Sequence, residues 1–388
     1  MSTPVRTLDL FAADSPVPLE AVLCKVVAIL GIRGSGKTTA ARRIVEQLAG
    51  HGVPMTIFDY KGEYWGLLER FPFVVIGRSE HAHFDASPRQ AEALARMSLR
   101  DRVSVILDFS EHAESEMFAF ADAYMAALWQ AARKMRQPYT VVLEEAQEWA
   151  PQNGERSSPR AEALKRMVMT GRSYGVGLIL VAQRSALVRK DLLTQAECYL
   201  LGRATHPADL SVYKELCPLP GPEVERLVST AAPGGMLCCL NSHWERQQMA
   251  LAQTFGAGYT PSLDAADDED EEERFQPVAL DRSVLDALEG ARRQGADDES
   301  QALSPEQVAV SALTAQLAET RTENARLKGR VAHMEDQLEV ACTIRMPEQV
   351  VLNVNEAIVK HMRFGASGQA GKSGAATDGQ MVLAGLAG

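Results

Sequence analysis

The chain has 388 residues, 40 Lys and Arg against 51 Asp and Glu, and a net charge of −11. Its 46% hydrophobic and 23% charged residues are globular values, which exclude a disordered or fibrous chain. No apolar run reaches the roughly 20 residues of a membrane-spanning helix, and acids stand where a signal peptide would be apolar. Six cysteines, at 24, 198, 217, 238, 239 and 342, include no C-x-x-C pair, so neither a disulfide framework nor a zinc site is expected. A reduced, cytoplasmic protein without a membrane partner is the expectation.

After an N-terminal arm (1–22), CKVVAIL (24–30) reads as a buried strand, followed by a glycine loop and the helical TTAARRIVEQLAG. Further strand-length apolar runs are VPMTIFD (53–59), RVSVILDF (102–109), YTVVLEE (139–145), VGLILVAQ (176–183) and CYLLG (198–202). Helical stretches such as FAFADAYMAALWQAARKM lie between several of them. This alternation predicts an α/β fold, a mainly parallel sheet covered by helices on both faces. GGMLCCLN (234–241) and ERQQMALAQ (245–253) predict a closing antiparallel hairpin at the sheet edge.

The acids are unevenly spread. Asp264 to Glu273 hold eight of them and no base; without this block, 43 acids face 40 bases, a net −3. Such a block repels itself, so residues 263–304 read as an acidic disordered linker. Within 305–345, a heptad with Val310, Leu317, Asn324, Val331 and Leu338 at a predicts a C-terminal coiled-coil helix; one amphipathic helix packed on the body is the alternative. Residues 346–388 end in a Gly- and Ala-rich tail expected to be mobile.

The sharpest chemical signal is Gly31-Ile-Arg33-Gly34-Ser35-Gly36-Lys37-Thr38, a full G-x-x-x-x-G-K-[ST] match between a strand and a helix. Small residues let backbone N–H groups close on phosphates at a helix N-terminus. Gly31, Arg33, Gly34, Ser35, Gly36, Lys37, Thr38 and Thr39 are therefore the expected ATP contacts. Lys37 would reach the β- and γ-phosphates, and Thr38 would hold Mg²⁺. The YTVVLEE strand runs into Glu144 and Glu145. One carboxylate, Glu144, can serve the metal with Thr38, and Glu145 can orient the attacking water. Gln183 ends the next strand, on the rim where ligands of parallel sheets bind, and could touch the γ-phosphate. Asp59 ends an earlier strand on the same rim.

From Glu155 to Lys190 eight bases face two acids, a local +6. Such a surface suits a phosphate backbone or a neighbouring subunit's nucleotide, with a solvated helix face as the alternative. Interleaved aromatics are nearly absent, so stacking on single strands is not indicated.

Together GIRGSGKTT, TIFDYKGEYWGLL, VVLEEAQEWAP, TGRSYGVGLILVAQRSALVRKDLLTQAECYLLGR and FGAGYTPSL resemble the HerA/FtsK group of RecA-like P-loop ATPases, HerA above all, over residues 22–262. Gln147 stands where this group usually has His. The resemblance implies a RecA-like ATPase domain (23–262) and a hexameric ring with ATP at the subunit interfaces, moving duplex DNA through its pore. It makes Arg172 the finger expected to reach a neighbour's γ-phosphate, with Arg184 the second choice. HerA proteins usually carry an N-terminal β-barrel, and here some twenty residues precede the first strand, so a nuclease or effector protein is expected to dock elsewhere, with the coil open to partner or assembly contacts. An ATP-gated assembly protein of a defence or mobile-element system, and a DNA packaging or transfer ATPase, are the alternatives to a motor.

Overall fold

A computed structural model describes residues 6–13, 15–153, 158–240, 243–256 and 275–300. The chain divides into Met1–Ala302 and Leu303–Gly388, and every described residue belongs to the first unit. The heptad and the tail therefore lie outside the described residues, as do most of FGAGYTPSL and the acidic block.

The strands are β1 (Thr7–Leu8), β2 (Val17–Pro18), β3 (Val26–Leu30), β4 (Met55–Asp59), β5 (Val74–Ile76), β6 (Val105–Asp108), β7 (Tyr139–Leu143), β8 (Val176–Ala182), β9 (Cys198–Leu201), β10 (Gly235–Cys239) and β11 (Trp244–Gln248). The α-helices are α1 (Lys37–Gly50), α2 (Ala91–Arg100), α3 (Glu114–Met135), α4 (Ala146–Trp149), α5 (Pro159–Thr170), α6 (Lys190–Leu193), α7 (Pro207–Leu216), α8 (Gly221–Ser229) and α9 (Arg282–Ser300). All six apolar runs expected to be strands form β3, β4, β6, β7, β8 and β9, and the closing hairpin forms β10 and β11. The short β5 was not anticipated, because three apolar residues are too few to show a period.

Nine strands form one sheet in the order β11-β10-β9-β3-β8-β7-β4-β6-β5. From β9 to β5 every pairing is parallel; β10 runs antiparallel to both β9 and β11. Side chains of a strand point alternately to the two faces. Along β3, Val26, Ala28 and Leu30 enter one core layer, and Val27 and Ile29 enter the other. Burial on both faces explains the unbroken apolar run. The first layer meets α2, α3, α5, α7 and α8; the second is covered by α1 and the N-terminal arm. Helix α3 buries Met117, Phe120, Tyr124, Leu128 and Ala132, spaced three or four apart. Its first turn carries Glu114 and Glu116, its last Arg133 and Lys134, which suits the helix dipole.

Two segments at the margins are more ordered than the sequence suggests. The arm forms the β1–β2 pair and packs Leu8, Leu10 and Leu19 into the core, and Ala250 N–H donates to Leu10 O at 2.9 Å. The expected disorder of 263–304 does not hold over its second part. Val278 N–H donates to Leu68 O at 2.8 Å, and α9 buries Leu288 in the layer that holds α2. The reason lies in composition: the charge is concentrated before residue 274, whereas Leu280, Val284, Leu285 and Leu288 supply an apolar face.

The stretch after β11 is strapped to α1 by two buried charges. Glu46 accepts N–H donations from Gln253 and Thr254, each at 2.8 Å to the same oxygen, and the Thr254 hydroxyl at 2.7 Å. Arg42 donates to the Thr254 and Phe255 carbonyls. Removing Glu46 strands these buried donors. Glu46→Ala should therefore lower stability by about 3 kcal/mol, a fall in melting temperature of roughly 6 °C or more by scanning calorimetry, with Glu46→Gln intermediate.

Candidate nucleotide site

The loop leaving β3 turns at Gly34 (φ 73°) and Gly36 (φ 87°), both in the left-handed region that side chains resist. At Gly36 space is also closed, because a Cβ would stand 2.5 Å from the Gly234 nitrogen. Gly234 N–H donates in turn to Ser35 O at 2.9 Å, so the turn before β10 braces the loop from behind. A cleft of about 590 Å³ opens in front, lined by Arg33, Gly34, Gly36, Lys37, Thr38, Thr39 and Arg42, and also by Lys61, Glu63, Gln183 and Gly256. Gly31 and Ser35 do not line it. The Ser35 hydroxyl turns into the seam beside Gly31, where a Cβ on Gly31 would meet it at 2.5 Å, so these two shape the loop from within.

Lys37 begins α1 and is 5% exposed. Among the described residues its ammonium makes no hydrogen bond or close ion pair. Burial pulls its pKa down, and the nearby Glu144 and Glu145 carboxylates pull the other way. A cation in this condition is under-neutralised, and the helix N-terminus beside it adds positive potential.

The sheet order explains how the acids reach this loop. Strand β8 lies between β3 and β7, so the ends of β3 and β7 are about 10 Å apart at two strand spacings, with Gln183 between them. Glu144 is fully buried. One of its oxygens accepts the Tyr64 hydroxyl at 2.8 Å, and the other lies 3.4 Å from the Thr38 hydroxyl, which donates to it. Burial pushes its pKa up to about 8, partly opposed by the Tyr64 hydrogen bond and reinforced by Glu145 and Asp59. The Thr38 and Glu144 oxygens are hard donors side by side, a set that suits Mg²⁺.

Glu145 has a left-handed backbone (φ 52°), rare for a residue with a side chain. Its carboxylate is held from three sides. Lys61 pairs with one oxygen, Gln183 donates to the same oxygen, and Gln147 donates to the other at 2.7 Å. Burial alone would raise its pKa, yet the Lys61 and Gln147 hydrogen bonds outweigh it and hold the pKa below the ordinary value. Gln147, where the resembling group has His, thus secures Glu145.

Three contributors were not foreseen. Lys61 and Tyr64 follow β4, and Arg42 lies one turn beyond the loop match. Asp59 connects the first two to the sheet. It is fully buried and accepts backbone N–H from Lys61, Gly62 and Tyr64 at 3.3, 2.9 and 2.8 Å. Burial and Asp108 raise its pKa to about 7. Asp59 therefore holds the loop and faces no ligand space. A buried strand-end Asp succeeded by Lys, Gly and Tyr was the available signal, readable as an Asx-type turn that presents the next few side chains.

The arginines sit elsewhere. Arg172 occupies a turn before β8, the end of the strand opposite Gln183, about 20 Å away along β8. It is 73% exposed and pairs loosely with Glu197 at 3.3 Å. It takes no part in this chain's own cleft. Arg184 follows Gln183 but donates to Asp209 at 3.1 Å. The +6 stretch is also less basic than its count. Glu155 and Arg156 fall outside the described residues. Six of the other seven bases are paired: Arg160 with Asp122, Arg166 with Glu162, Arg172 with Glu197, Arg184 with Asp209, Arg189 with Asp191 and Lys190 with Glu215. Five of these acids lie outside the stretch, so the open basic surface expected there is largely neutralised.

Residues 10–168 match the family model of the helicase HerA central domain. A curated relative, the DNA double-strand break repair helicase HerA of Pyrococcus furiosus, is 36% identical over 72 residues, 19% of this chain. The match spans 13% of that relative's length. Among solved structures, the chain is similar to the genome packaging NTPase B204 of Sulfolobus turreted icosahedral virus 2 (18% identity, 58% of this chain and 98% of that one, TM-score 0.43). It is also similar to VirB4 of Thermoanaerobacter pseudethanolicus (13% identity, 65% and 98%, TM-score 0.48). Among the described residues no helix is long and apolar enough to cross a membrane.

The electrostatics of this site predict a pH signature. Glu144 and Asp59 have folded pKa values raised above those of the unfolded chain. Their contribution to stability is therefore full below the ordinary carboxylate range and is lost as pH rises through about 7 and 8. The ligand-free protein should melt at progressively lower temperature from pH 5 to pH 9, and Glu144→Gln should flatten that slope.

Proposed function

We propose that the domain hydrolyses ATP and, as a ring of identical subunits, uses the turnover to move duplex DNA. The observation that carries the reading is the nearly buried, unpaired Lys37 ammonium between the loop and the two strand-end glutamates. It is a site made for a polyphosphate, with a base-bearing wall opposite.

Lys37 and the loop N–H groups bind the phosphates, and Thr38 with Glu144 holds Mg²⁺. When bound, that ion neutralises phosphate charge. Arg33, Thr39 and Arg42 line the same cleft and would add contacts to the nucleotide. Glu145 orients the water. As the water attacks the terminal phosphorus the bond to the bridging oxygen breaks, ADP departs, and the water's proton is lost through the carboxylate. Gln183 joins Glu145 to the terminal phosphate. Arg172 lies at the opposite end of β8 from Gln183 and is 73% exposed, which favours Arg172 of an adjoining subunit as the remaining cation, in a hexamer closed head to tail.

DNA is the proposed substrate because the curated relative is a DNA repair helicase. The neutralised basic stretch favours a second reading, in which ATP gates assembly of a defence or mobile-element complex and a nuclease or effector protein does the chemistry. A packaging or transfer motor remains within the first.

ATPase rates of the wild type, Lys37→Ala, Glu145→Gln and Arg172→Ala, each with and without duplex DNA, test both. Lys37→Ala and Glu145→Gln should lose about 100-fold or more. Arg172→Ala should lose as much in the assembled protein while still binding nucleotide. Duplex DNA should stimulate the wild type, less so as salt rises. Turnover indifferent to DNA, with no DNA retained at low salt, rejects the motor in favour of the assembly reading; full activity of Arg172→Ala removes the finger.

A further inference from the structure

Lys61 lines the same cleft as the phosphate loop, and it is already engaged. Its ammonium pairs with Glu145, the group that must be free to hold water. The backbone beneath it cannot follow a ligand. Asp59 fixes the amides of Lys61, Gly62 and Tyr64, and Gly62 is left-handed with Ser110 close enough that a Cβ would crowd it at 3.0 Å. The side chain is different: it is 35% exposed, borders the cleft, and has four methylenes over which to swing. Glu145, in contrast, is nearly buried and retains Gln183 and Gln147 when Lys61 leaves.

We propose that Lys61 is a positioning residue with two stations: on Glu145 while no triphosphate is bound, and on the terminal phosphate once a nucleoside triphosphate fills the cleft. The inference rests on reading the cleft as an ATP site. Its driving force is charge. A terminal phosphate carries up to two negative charges on three strong acceptors, whereas Glu145 carries one and is satisfied by two further donors. Transfer of the ammonium neutralises the phosphate and, in a single movement, opens an acceptor position for water on the Glu145 oxygen that Lys61 shares with Gln183. A nucleoside diphosphate lacks the group that draws Lys61 across and leaves the pair closed. Lys61 thereby makes the site sensitive to the third phosphate and keeps Glu145 quenched in its absence.

The test measures affinities of the full-length protein for ADP and for a non-hydrolysable ATP analogue by calorimetry. Lys61→Met should weaken the analogue at least tenfold and ADP less than twofold, and Lys61→Arg should restore most of the difference. In the wild-type background Glu145→Gln should tighten the analogue severalfold, since Lys61 no longer has to leave a carboxylate. In the Lys61→Met background the same change should add little, a non-additivity that simple loss of charge does not produce. Equal weakening of both nucleotides, or a Glu145→Gln gain that persists without Lys61, overturns the proposal. A wild type that binds neither nucleotide overturns the ATP-site reading itself, and Lys37→Ala, expected to weaken both, shows which has failed. Unchanged melting of Lys61→Met confirms that the loop is intact.

Discussion

Everything in the cleft is arranged around opposite charges kept close together out of water. Lys37 and Glu144 are both nearly inaccessible, and each is held in an unfavourable state by burial: the ammonium is pushed toward neutrality, the carboxyl toward protonation. Neither is fully relieved by the other, because no hydrogen bond joins them. A ligand carrying negative oxygens toward Lys37 and a cation toward Glu144 would relieve both. In the proposed ATP site, this is a mismatch that a metal-bound polyphosphate would resolve.

Backbone geometry maintains that mismatch. The loop cannot collapse over Lys37, because Gly36 is wedged on Gly234 and Ser35 is held by the same turn. The acids cannot retreat, because Glu144 hangs from Tyr64 and Glu145 is locked at a left-handed position between β7 and α4. Tyr64 is itself placed by Asp59 at the end of β4, the strand beside β7. Four neighbouring strands, β3, β8, β7 and β4, therefore each end in one part of the machinery: phosphate loop, Gln183, the glutamates, and the Lys61–Tyr64 loop. In a parallel sheet all four ends share one edge, so local chain geometry is enough to assemble the site.

That logic explains what could be read in advance. The placement of the loop, Glu144, Glu145 and Gln183 on one edge of the sheet was legible because each follows the end of an apolar strand run. Lys61 and Tyr64 were not, since their roles depend on where Asp59 turns the chain and on β4 being the neighbour of β7, which no local pattern encodes. The +6 stretch misled for a related reason. A running count registers Arg184 and Lys190 but not Asp209 and Glu215, which arrive about 25 residues later on α7 and fold back onto them. In 275–300, conversely, an acidic neighbour masked a short apolar face. Charge counted along the chain describes an unfolded polymer; the folded surface depends on pairing.

The same edge-on geometry bears on assembly. The cleft opens where the strands end, whereas Arg172 lies where β8 begins, on the opposite edge of the sheet. No bending of one subunit can bring two edges of a buried seven-residue strand together, because the strand is the stiffest part of the core. If Arg172 completes a site, it completes another chain's, and the contact joins unlike edges. Contacts between unlike surfaces repeat, closing into a ring when the rotation permits and running on as a filament when it does not. The exposed, loosely paired state of Arg172 fits such a role. A cation bound to Glu197 at 3.3 Å across open solvent gives up little when a terminal phosphate is offered. Within the proposed motor, the cations that respond to the third phosphate then come from both sides: Lys61 released from Glu145 within the chain, and Arg172 released from Glu197 in its neighbour. Each is held until then by a glutamate, so both the water-orienting carboxylate and the subunit contact become sensitive to the same phosphate.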